Sequence, residues 1–497
     1  MDKDGTMLAP PKPAPQTPGS GAGAGPGRWL RQPIGYAWAV PALLMAAIGG
    51  AGVHRPGLWA DELATWAAVA GPWSRTAVGL GYADMVIAPY YLLMNGWVEL
   101  FGTSDVALRA PSVIAMALAA SFVGGIGARL GGARAGLLAG VLFAVLPSTS
   151  RHAQEARVYA LVVLAAAVAT YLLVRIPERP TRWRFAGYAG AVALTGLFHA
   201  VALLVLAVHG GYLLIRHREL VPRWLVAATA GLVPVLPLLV LGAGQTQQIE
   251  WIGDFGLRPL GILTEAFGGA ALAAGFGLAA AWSRPLRHPG ALYVAWALAP
   301  LALLLAVSQV LPLMVFRYLL FTMPAWALLA GAALARPRAV WAALAVSALA
   351  ALSVPAQLDL RSPGGHDETA TRQMATVIGQ DYRPGDGIAY AVADADTRCC
   401  SWVARDAIEH YLPADRRPRD VFLQRPPRTG GYFLAGECDA LESCLGSTPR
   451  LWIVRLGDHA DPLRGLGAGK EALVRDRYAA PRVWRPSGFT VALVVAR

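Results

Sequence analysis

The sequence has few charged residues for its length. Only 15% of its 497 residues are charged, whereas 56% are apolar, and the mean hydropathy is +0.45. This balance excludes a disordered chain, a collagen-like fibre and an ordinary soluble enzyme, and it indicates a membrane protein. The sequence also lacks CxxC, HExxH and P-loop patterns, so nothing in it favours a structural zinc site or a nucleoside triphosphate site.

The charge that is present is unbalanced. Lys and Arg number 43 against 31 Asp and Glu, which gives a formal net charge of +12. The arginines stand in short clusters between apolar runs. This pattern favours contact with the cytoplasmic surface of a membrane over binding of nucleic acid, so no nucleic-acid partner is predicted.

The chain begins with two regions of contrasting composition. Residues 1–33 are rich in proline, glycine and alanine without apolar periodicity, which predicts a disordered cytoplasmic tail. Residues 34–356 form an apolar region, and its first run, 34–53, is long enough to span a bilayer. Arg28 and Arg31 precede this run, and we expect them to hold its start in the cytosol.

Ten further apolar runs are candidate membrane spans. Some are short or contain proline and glycine, which membrane helices tolerate when neighbouring helices cover the freed backbone groups. The candidates are 111–128, 135–150, 158–174, 185–198, 200–215, 224–243, 260–282, 290–311, 314–334 and 339–356.

One more apolar stretch, 86–101, is only 16 residues long and contains two polar residues. If it crossed the membrane, the later arginine clusters would all lie outside, contrary to the positive-inside rule. If it does not cross, the chain has about eleven transmembrane helices and these clusters lie in the cytosol. We therefore predict a helix in the outer interface, with Tyr90, Tyr91 and Trp97 at the depth of the lipid headgroups.

Residues 357–497 differ from the preceding region. Charged residues become frequent and short β-rich runs appear, which predicts a soluble α/β domain, extracytoplasmic in the eleven-helix topology. All four cysteines lie in it, and an oxidising compartment permits disulfides. Cys438 and Cys444 could close a small loop, although four cysteines allow three pairings. A bond between the adjacent Cys399 and Cys400 would be strained.

Three charged motifs share the outer side in this topology. A charge at the bilayer centre costs about 2.5–3.5 kcal/mol on insertion scales, so Arg317 in the third motif is expected to be paired or functional. An arginine at this depth can also extend its head group to the interface. The motifs are LWADELATW at 58–66, RHAQEARVYAL at 151–161 and VFRYLLFTMP at 315–324.

The order of these motifs resembles that of the GT-C membrane glycosyltransferases of the protein O-mannosyltransferase and aminoarabinose-transferase type. The resemblance rests on W-x-D-E after the first membrane helix, APYYLL before FGTSDVALRAPS, QEARVYAL, and a late RYLLFTMPA, and it covers roughly 34–335. It implies transfer of a sugar from a polyprenyl-phosphate donor on the extracytoplasmic side. It also implies that the helix before FGTSDVALR lies in the first outer loop, in agreement with the charge argument.

The resemblance implies roles for five charged or polar residues. Asp61 is the candidate base for the proton of the acceptor hydroxyl, with Glu62 as its orienting partner or substitute. Arg317 is the candidate ligand of the donor phosphate, because a guanidinium offers a fork of donors and stays charged where water is scarce. Arg157 and Gln154 are candidates for binding the same phosphate or orienting the next acidic residue.

Glu155 is a candidate for substrate binding. Its carboxylate could hold a sugar hydroxyl or a divalent cation, and pairing with Arg151 or Arg157 would be a purely structural alternative. The sequence predicts no other cofactor and leaves the identity of any metal open.

Five further residues complete the candidate substrate-binding set. His199 could contact the donor or the acceptor, or be a buried histidine with a structural partner. Trp251 could stack on a sugar or anchor the chain at the interface, and Arg258 could bind phosphate. The adjacent Tyr90 and Tyr91 are the remaining two.

The predicted function is that of an inverting glycosyltransferase in the plasma membrane. The acceptor would be an extracytoplasmic glycolipid, cell-wall glycan or protein. Much alanine, glycine and arginine with little lysine is typical of a high-GC bacterium, in which mannosyl and arabinosyl lipid donors are common, so mannose or arabinose is the expected sugar. A transporter and a non-catalytic cell-envelope scaffold are the alternatives; a transporter would place charges near the midplane and show internal repeats.

Overall fold

The computed structural model describes residues 35–245, 252, 259–284, 287–366, 369–391, 402–429 and 434–497. Five features predicted from sequence lie outside these residues: the tail 1–33, Trp251, Arg258, Cys399 and Cys400.

Up to residue 359 the described secondary-structure elements are all helices, joined by turns and loops. Short 3₁₀ segments at Met85–Ile87, Ala200–Leu204, Arg218–Leu220, Val233–Val235 and Phe316–Thr322 join or extend the α-helices. The α-helices are α1 Gly35–Gly50, α2 Ala60–Val69, α3 Trp73–Leu80, α4 Ala88–Phe101, α5 Asp105–Gly131, α6 Ala133–Val145, α7 Pro147–Ala153, α8 Tyr159–Arg175, α9 Arg182–Phe198, α10 Val205–Arg216, α11 Val221–Leu232, α12 Leu236–Gly242, α13 Pro259–Phe267, α14 Ala270–Trp282, α15 Gly290–Val307, α16 Met323–Leu334 and α17 Ala339–Asp359.

Many of these helices are suited to a membrane. Within the described residues, five helical stretches are long and apolar enough to cross one, and the bent pair α6 and α7 would make a sixth. Four shorter apolar helices accompany them. The predicted multi-pass helical fold is confirmed, whereas the number of eleven transmembrane helices stays a prediction. The five stretches are Asp105–Gly131, Arg218–Gly242, Gly290–Val307, Phe316–Leu334 and Ala339–Asp359.

Two of the predicted spans are broken into two helices. In the run 135–150, α6 and α7 meet at an angle of 66°, where Pro147 cannot donate the backbone hydrogen bond that would continue the first helix. In the run 260–282, Gly268 and Gly269 separate α13 from α14 and both have positive φ, a conformation that glycine adopts readily.

The stretch 86–101 is helical, as predicted, but its two tyrosines face the protein interior and not the membrane interface. Tyr90 and Tyr91 on α4 are only 1% and 2% exposed and face the protein. The two rings therefore do not face lipid headgroups, the depth of the helix in a membrane stays a prediction, and its exposed face is formed by aliphatic and phenyl side chains. These are Leu92, Leu93, Leu100 and Phe101.

Helices α1, α5 and α6 pack backbone to backbone. A Cβ atom on Gly124 would lie 1.9 Å from the carbonyl oxygen of Ala37, and one on Gly136 would lie 2.3 Å from the carbonyl oxygen of Gly124. Such close approach at small residues is typical of membrane helix pairs. Because α1 leads into the 58–66 motif and α6 into the 151–161 motif, this packing fixes the two motifs relative to each other.

The arginine-rich loops predicted to be cytoplasmic meet one another. Arg129 forms an ion pair with Glu178, and Arg134 donates to the carbonyl oxygen of Pro337 at 2.7 Å. These contacts bring three loops to one end of the helices, as the positive-inside argument requires. Which side of the membrane this end faces stays a prediction.

The C-terminal region is an α/β unit, in agreement with the sequence. A five-stranded mixed sheet has the order β2-β1-β5-β7-β6, with β1 parallel to β2 and β5, and β7 antiparallel to β5 and β6. The strands are β1 Gly387–Tyr390, β2 Arg419–Asp420, β3 Leu423–Arg425, β4 Gly436–Glu437, β5 Arg450–Leu456, β6 Arg482–Trp484 and β7 Phe489–Val495, and the helices are α18 Thr371–Asp381, α19 Val403–Tyr411, α20 Leu441–Leu445 and α21 Ala468–Arg477.

This C-terminal unit packs on the helical region. Buried residues of α18 and α19 belong to the same hydrophobic core as those of α2 and α4, and the rings of Trp66 and His410 meet edge to face at 5.1 Å. Within the unit, Cys438 and Cys444 are joined by a disulfide. The domain boundary at residue 357 stays a prediction, since α17 continues to Asp359.

Candidate active site

A cavity of about 290 Å³ opens among residues from five distant parts of the chain. Trp59 precedes α2, and Arg151, His152 and Glu155 come from α7 and the turn after it. Glu265 lies on α13, and Arg317 lies on the 3₁₀ segment before α16. We name this space the charged cavity; its wall is completed by Pro147, Ser148, Gly268, Phe316, Ala356, Asp359 and Leu360.

Asp61 lies beside two arginines at the start of α2. Its Oδ2 atom is 3.8 Å from Nε of Arg157 and 3.8 Å from Nη2 of Arg317, and its side chain is 28% exposed. A carboxylate in the first turn of a helix is stabilised by the helix dipole. The structure thus brings together Asp61, Arg157 and Arg317, which the sequence separates by up to 256 residues.

Arg157 is positioned by a short chain of hydrogen bonds. Its Nη1 atom donates to the hydroxyl of Tyr91 at 3.2 Å, and that hydroxyl donates to Oδ2 of Asp84 at 2.5 Å. Its Nε is buried and has no hydrogen-bond partner among the described residues. A buried donor of this kind is suited to binding an incoming phosphate oxygen.

Sequence reasoning missed Asp84. This residue lies in the connection between α3 and α4, outside every motif, and its contact with Tyr91 depends on the inward orientation of that tyrosine. Its φ of 60° is uncommon for a residue other than glycine, although aspartate is among those that tolerate it. An acidic residue just before an apolar helix was the only available signal.

Arg317 is held by aromatic side chains. Its Nε donates to the hydroxyl of Tyr159 at 3.0 Å, and its guanidinium lies 6.0 Å from the ring centre of Trp59. The guanidinium of Arg151 approaches the same ring at 5.2 Å. Cation–π contacts of this kind fix an arginine without using its hydrogen-bond donors, so the charge still acts on the cavity.

Glu155 is a buried carboxylate in the cavity wall. Its Oε2 lies 3.5 Å from Nη1 of Arg151 and 3.7 Å from Nε2 of His152. Neither carboxylate oxygen has a hydrogen-bond partner among the described residues. Burial raises the pKa of Glu155 to about 6, against the lowering effect of Arg151. Two acceptor atoms without donors are suited to the hydroxyls of a sugar.

Glu62 lies in a different environment from its neighbour Asp61. It is fully buried, forms a two-point ion pair with Arg109 at 2.7 and 2.5 Å, and accepts the backbone N–H of Ala156 at 2.8 Å. Burial alone would raise the pKa of Glu62, but the charge and hydrogen bonds of Arg109 lower it far below its ordinary value. A carboxylate held in this way does not suit a substitute base, and its contacts are structural.

Gln154 also faces away from the cavity. It is fully buried, and its Nε2 donates to the carbonyl oxygens of Gly49 at 2.9 Å and Ala51 at 2.8 Å. Both of its donors therefore bind the end of α1. These contacts join α1 to the turn that carries Glu155, and the role of Gln154 in phosphate binding stays a prediction.

His199 and Tyr90 lie next to residues of the site. The ring of His199 is 4.6 Å from that of Tyr318 and 6.0 Å from that of Tyr159, so it adjoins the aromatic support of Arg317. The ring of Tyr90 is 5.6 Å from that of Tyr91. A role in substrate binding stays a prediction for both.

The described part of the chain holds no group of three or more His, Cys, Asp or Glu side chains arranged to bind a metal ion. The divalent cation left open by the sequence thus has no such site among these residues.

Comparison with known proteins finds one matching family model and several similar solved structures. A family model described as dolichyl-phosphate-mannose-protein mannosyltransferase matches residues 88–241. No curated protein matches the sequence at a significant level.

Solved structures are similar over almost the whole chain. The crystal structure of ArnT from Cupriavidus metallidurans bound to undecaprenyl phosphate has a TM-score of 0.58 at 15% identity and covers 92% of this chain and 98% of that one. Its apo state has a TM-score of 0.57 at 15% identity, covering 92% and 97%. An oligosaccharyltransferase from Archaeoglobus fulgidus, in complex with Zn and sulfate, has a TM-score of 0.52 at 13% identity, covering 91% and 72%.

Proposed function

We propose that this chain, which has the fold of the GT-C superfamily of membrane glycosyltransferases, is an inverting glycosyltransferase that uses a polyprenyl-phosphate sugar. The observation that carries the proposal is the partly exposed Asp61, whose carboxylate lies 3.8 Å from the guanidinium groups of both Arg157 and Arg317. Base and phosphate ligands are thereby adjacent, as a transfer between a hydroxyl and a phosphate ester requires.

In the proposed reaction Asp61 accepts the proton of the acceptor hydroxyl. The acceptor oxygen forms a bond to the anomeric carbon from the face opposite the phosphate, and the bond between that carbon and the phosphate oxygen breaks. The electron pair of the broken bond stays on the polyprenyl phosphate. Arg157 and Arg317 stabilise the charge that develops there, which is the usual task of guanidinium groups in such sites.

The donor is proposed to place its phosphate between these two arginines. A distance of 3.8 Å is longer than a hydrogen bond, so neither guanidinium is hydrogen-bonded to the carboxylate of Asp61 at this distance and a phosphate oxygen can approach both. The sugar would then enter the charged cavity, where Glu155 offers two acceptor oxygens. The similar ArnT structure is bound to undecaprenyl phosphate, which supports this donor class, and mannose or arabinose is the proposed sugar.

The acceptor is proposed to approach through a second cavity of about 620 Å³. It shares Asp359 with the charged cavity, and its other lining groups include Gln373 and Ser487. A wall with hydroxyl, amide and carboxylate groups suits a hydroxylated acceptor such as a glycolipid, a cell-wall glycan or a secreted protein.

The proposed location is the plasma membrane, with the N-terminus cytoplasmic and the C-terminal unit outside. The functional charges gather at the end of the helices opposite to the arginine-rich loops. This arrangement supports a transferase that acts at the outer leaflet over a transporter, in which charges near the midplane are usual.

Transfer of radiolabelled mannose or arabinose from the polyprenyl phosphate by purified protein in detergent tests the proposal. We expect Asp61→Asn and Arg317→Ala each to lower transfer by about 10²–10³-fold, the range found for a lost base or charge-stabilising group. Matched controls are Asp458→Asn and Arg482→Ala. Both residues lie in the C-terminal unit, and their side chains are 77% and 64% exposed.

Transfer that survives both site substitutions would overturn the assignment, as would an equal loss in the controls. Absence of transfer by the unchanged protein with both donors would overturn the proposed sugars, and retention of sugar stereochemistry at the anomeric carbon would overturn the inverting mechanism.

A further inference from the structure

The segment 53–60, which leads into Asp61, is held almost entirely by groups outside itself. Nη1 of Arg109 donates to the carbonyl oxygens of Val53 and Pro56 at 2.7 and 3.0 Å, and Nη2 donates to that of Gly57 at 3.0 Å. A connecting segment without hydrogen bonds of its own takes its conformation from such partners. The position of Asp61 therefore depends on whatever binds the residues just before it.

Both backbone groups of Leu58 are bound by side chains of the C-terminal unit. The N–H of Leu58 donates to the hydroxyl of Tyr411 at 2.7 Å, and its carbonyl oxygen accepts from the hydroxyl of Thr371 at 2.7 Å. Leu58 is three residues before Asp61. Two elements more than 300 residues away, α18 and α19, thus bind the backbone beside the candidate base.

The same two helices are tied to the membrane helix that carries Arg109. Asp105, at the start of α5, accepts hydrogen bonds from the hydroxyl of Tyr411 at 2.9 Å and pairs with Nε2 of His410 at 2.7 Å. Arg372 of α18 forms an ion pair with the same carboxylate. Asp105 and Arg109 are one helical turn apart on α5. The same helix therefore binds α18 and α19 through Asp105 and the segment 53–60 through Arg109.

We propose that α18 and α19 form a positioning clamp for the candidate base, in which the hydroxyls of Thr371 and Tyr411 fix the backbone at Leu58 and thereby the place of Asp61. The C-terminal unit would then be part of the transfer machinery, although it contributes no group to the reacting atoms. This inference rests on the proposed function in one respect only, namely that Asp61 is the base whose position the clamp fixes.

Two substitutions remove the clamp while keeping the shape of the side chains. Tyr411→Phe deletes the hydroxyl that accepts from Leu58 and keeps the ring against Arg372, whose guanidinium lies 5.4 Å from it. Thr371→Val deletes the hydroxyl that donates to Leu58. The matched control is Thr376→Val, on the exposed face of the same helix, where the hydroxyl donates only to its own helix at Arg372.

Hydrogen exchange of the backbone N–H groups in 53–66 tests the clamp independently of sugar transfer. We expect faster exchange in Tyr411→Phe and in Thr371→Val, by about tenfold each, and no change in Thr376→Val, since one lost hydrogen bond corresponds to about this factor. Exchange in this segment that stays at the level of the unchanged protein would overturn the clamp.

Transfer kinetics measure what the clamp does. We expect kcat to fall about tenfold in each of the two variants with the KM of the polyprenyl-phosphate mannose donor unchanged, because Arg157 and Arg317 keep their contacts. Faster exchange together with an unchanged kcat would overturn the positioning role. If the unchanged protein transferred no sugar, the proposed function would fail, whereas the exchange comparison would still decide whether the clamp exists.

Discussion

Two groups of buried charges meet where the backbone N–H of Ala156 binds Glu62, next to Glu155, and they are built differently. The first, which we name the anchor cluster, consists of Glu62, Arg109 and the backbone groups they bind; all five of the arginine's observed hydrogen bonds are to atoms of this cluster. The second is the wall of the charged cavity, where both oxygens of Glu155 lack hydrogen-bond partners among the described residues.

The difference indicates that the anchor cluster stabilises the fold, whereas the cavity wall is suited to binding a ligand. A buried ion pair whose donors and acceptors are all used stabilises one arrangement and has nothing left for a ligand. Buried polar atoms without partners cost free energy, which a ligand that supplies the missing hydrogen bonds recovers. Adjacent residues fall on the two sides of this division, since Glu62 belongs to the anchor cluster and Asp61 faces the arginines beside the cavity.

The largest expected effect on folding is that of Arg109→Met. It leaves the buried Glu62 without its charged partner and three backbone carbonyl oxygens without the donors of Arg109, and removal of one partner from a buried pair costs about 3–5 kcal/mol. Thermal unfolding in detergent measures it. Arg129→Met is the control, because its pair with Glu178 is about one-third exposed and is worth less than about 1 kcal/mol. Equal effects of the two substitutions would remove the distinction between the clusters.

Glu155→Gln should stabilise the protein by about 2 kcal/mol at pH 8 and have almost no effect at pH 4. The pKa of Glu155 is raised from its ordinary 4.5 to about 6, so the folded state binds the proton more tightly than the unfolded state. The stability due to this proton is complete below pH 4.5 and is lost as the pH rises through 6. Unfolding of both proteins from pH 4 to pH 8 measures the difference.

A stabilising effect of Glu155→Gln that did not change with pH would contradict the raised pKa of Glu155 in the cavity wall. The companion measurement is donor binding, which should weaken in the same variant if the carboxylate accepts from sugar hydroxyls.

The smallest expected effect is that of Gln154→Met. The substitution removes two hydrogen bonds to Gly49 and Ala51 and should lower stability by about 1–2 kcal/mol. Because Gln154 faces away from the cavity, we expect the KM for the donor to stay the same in the folded fraction. A KM that rises as much as in Arg317→Ala would support the role in phosphate binding that the sequence suggested.

The fold could largely be predicted from the sequence, because long apolar runs, the distribution of arginine and short β-rich runs are local signals. The run 86–101 was assigned a helix outside the set of spans by counting charges alone. Its rotation was not predicted, since aromatic residues suit both an interface and a protein core. The helix breaks at Leu146 and at Gly268 follow from the proline and glycine beside them. Membrane helices tolerate both residues, so their presence in the sequence does not by itself predict a break.

The site was only partly predictable for a related reason. Asp61 and Arg317 stand out as charges in apolar surroundings, and the structure places them together. Gln154 and Glu62 stand out equally, yet their side chains turn toward Gly49 and Arg109, which no motif indicates. The contacts of Tyr411 and Asp84 depend on elements far apart in sequence and become visible only when the chain is folded.

The most direct test compares Asp61→Asn with Glu62→Gln in one assay, as sugar transferred per folded molecule in detergent. The account predicts that Asp61→Asn folds like the unchanged protein and loses transfer by at least about 100-fold, whereas Glu62→Gln folds poorly and its folded fraction still transfers. Full transfer by well-folded Asp61→Asn, or a well-folded Glu62→Gln that transfers nothing, would contradict it.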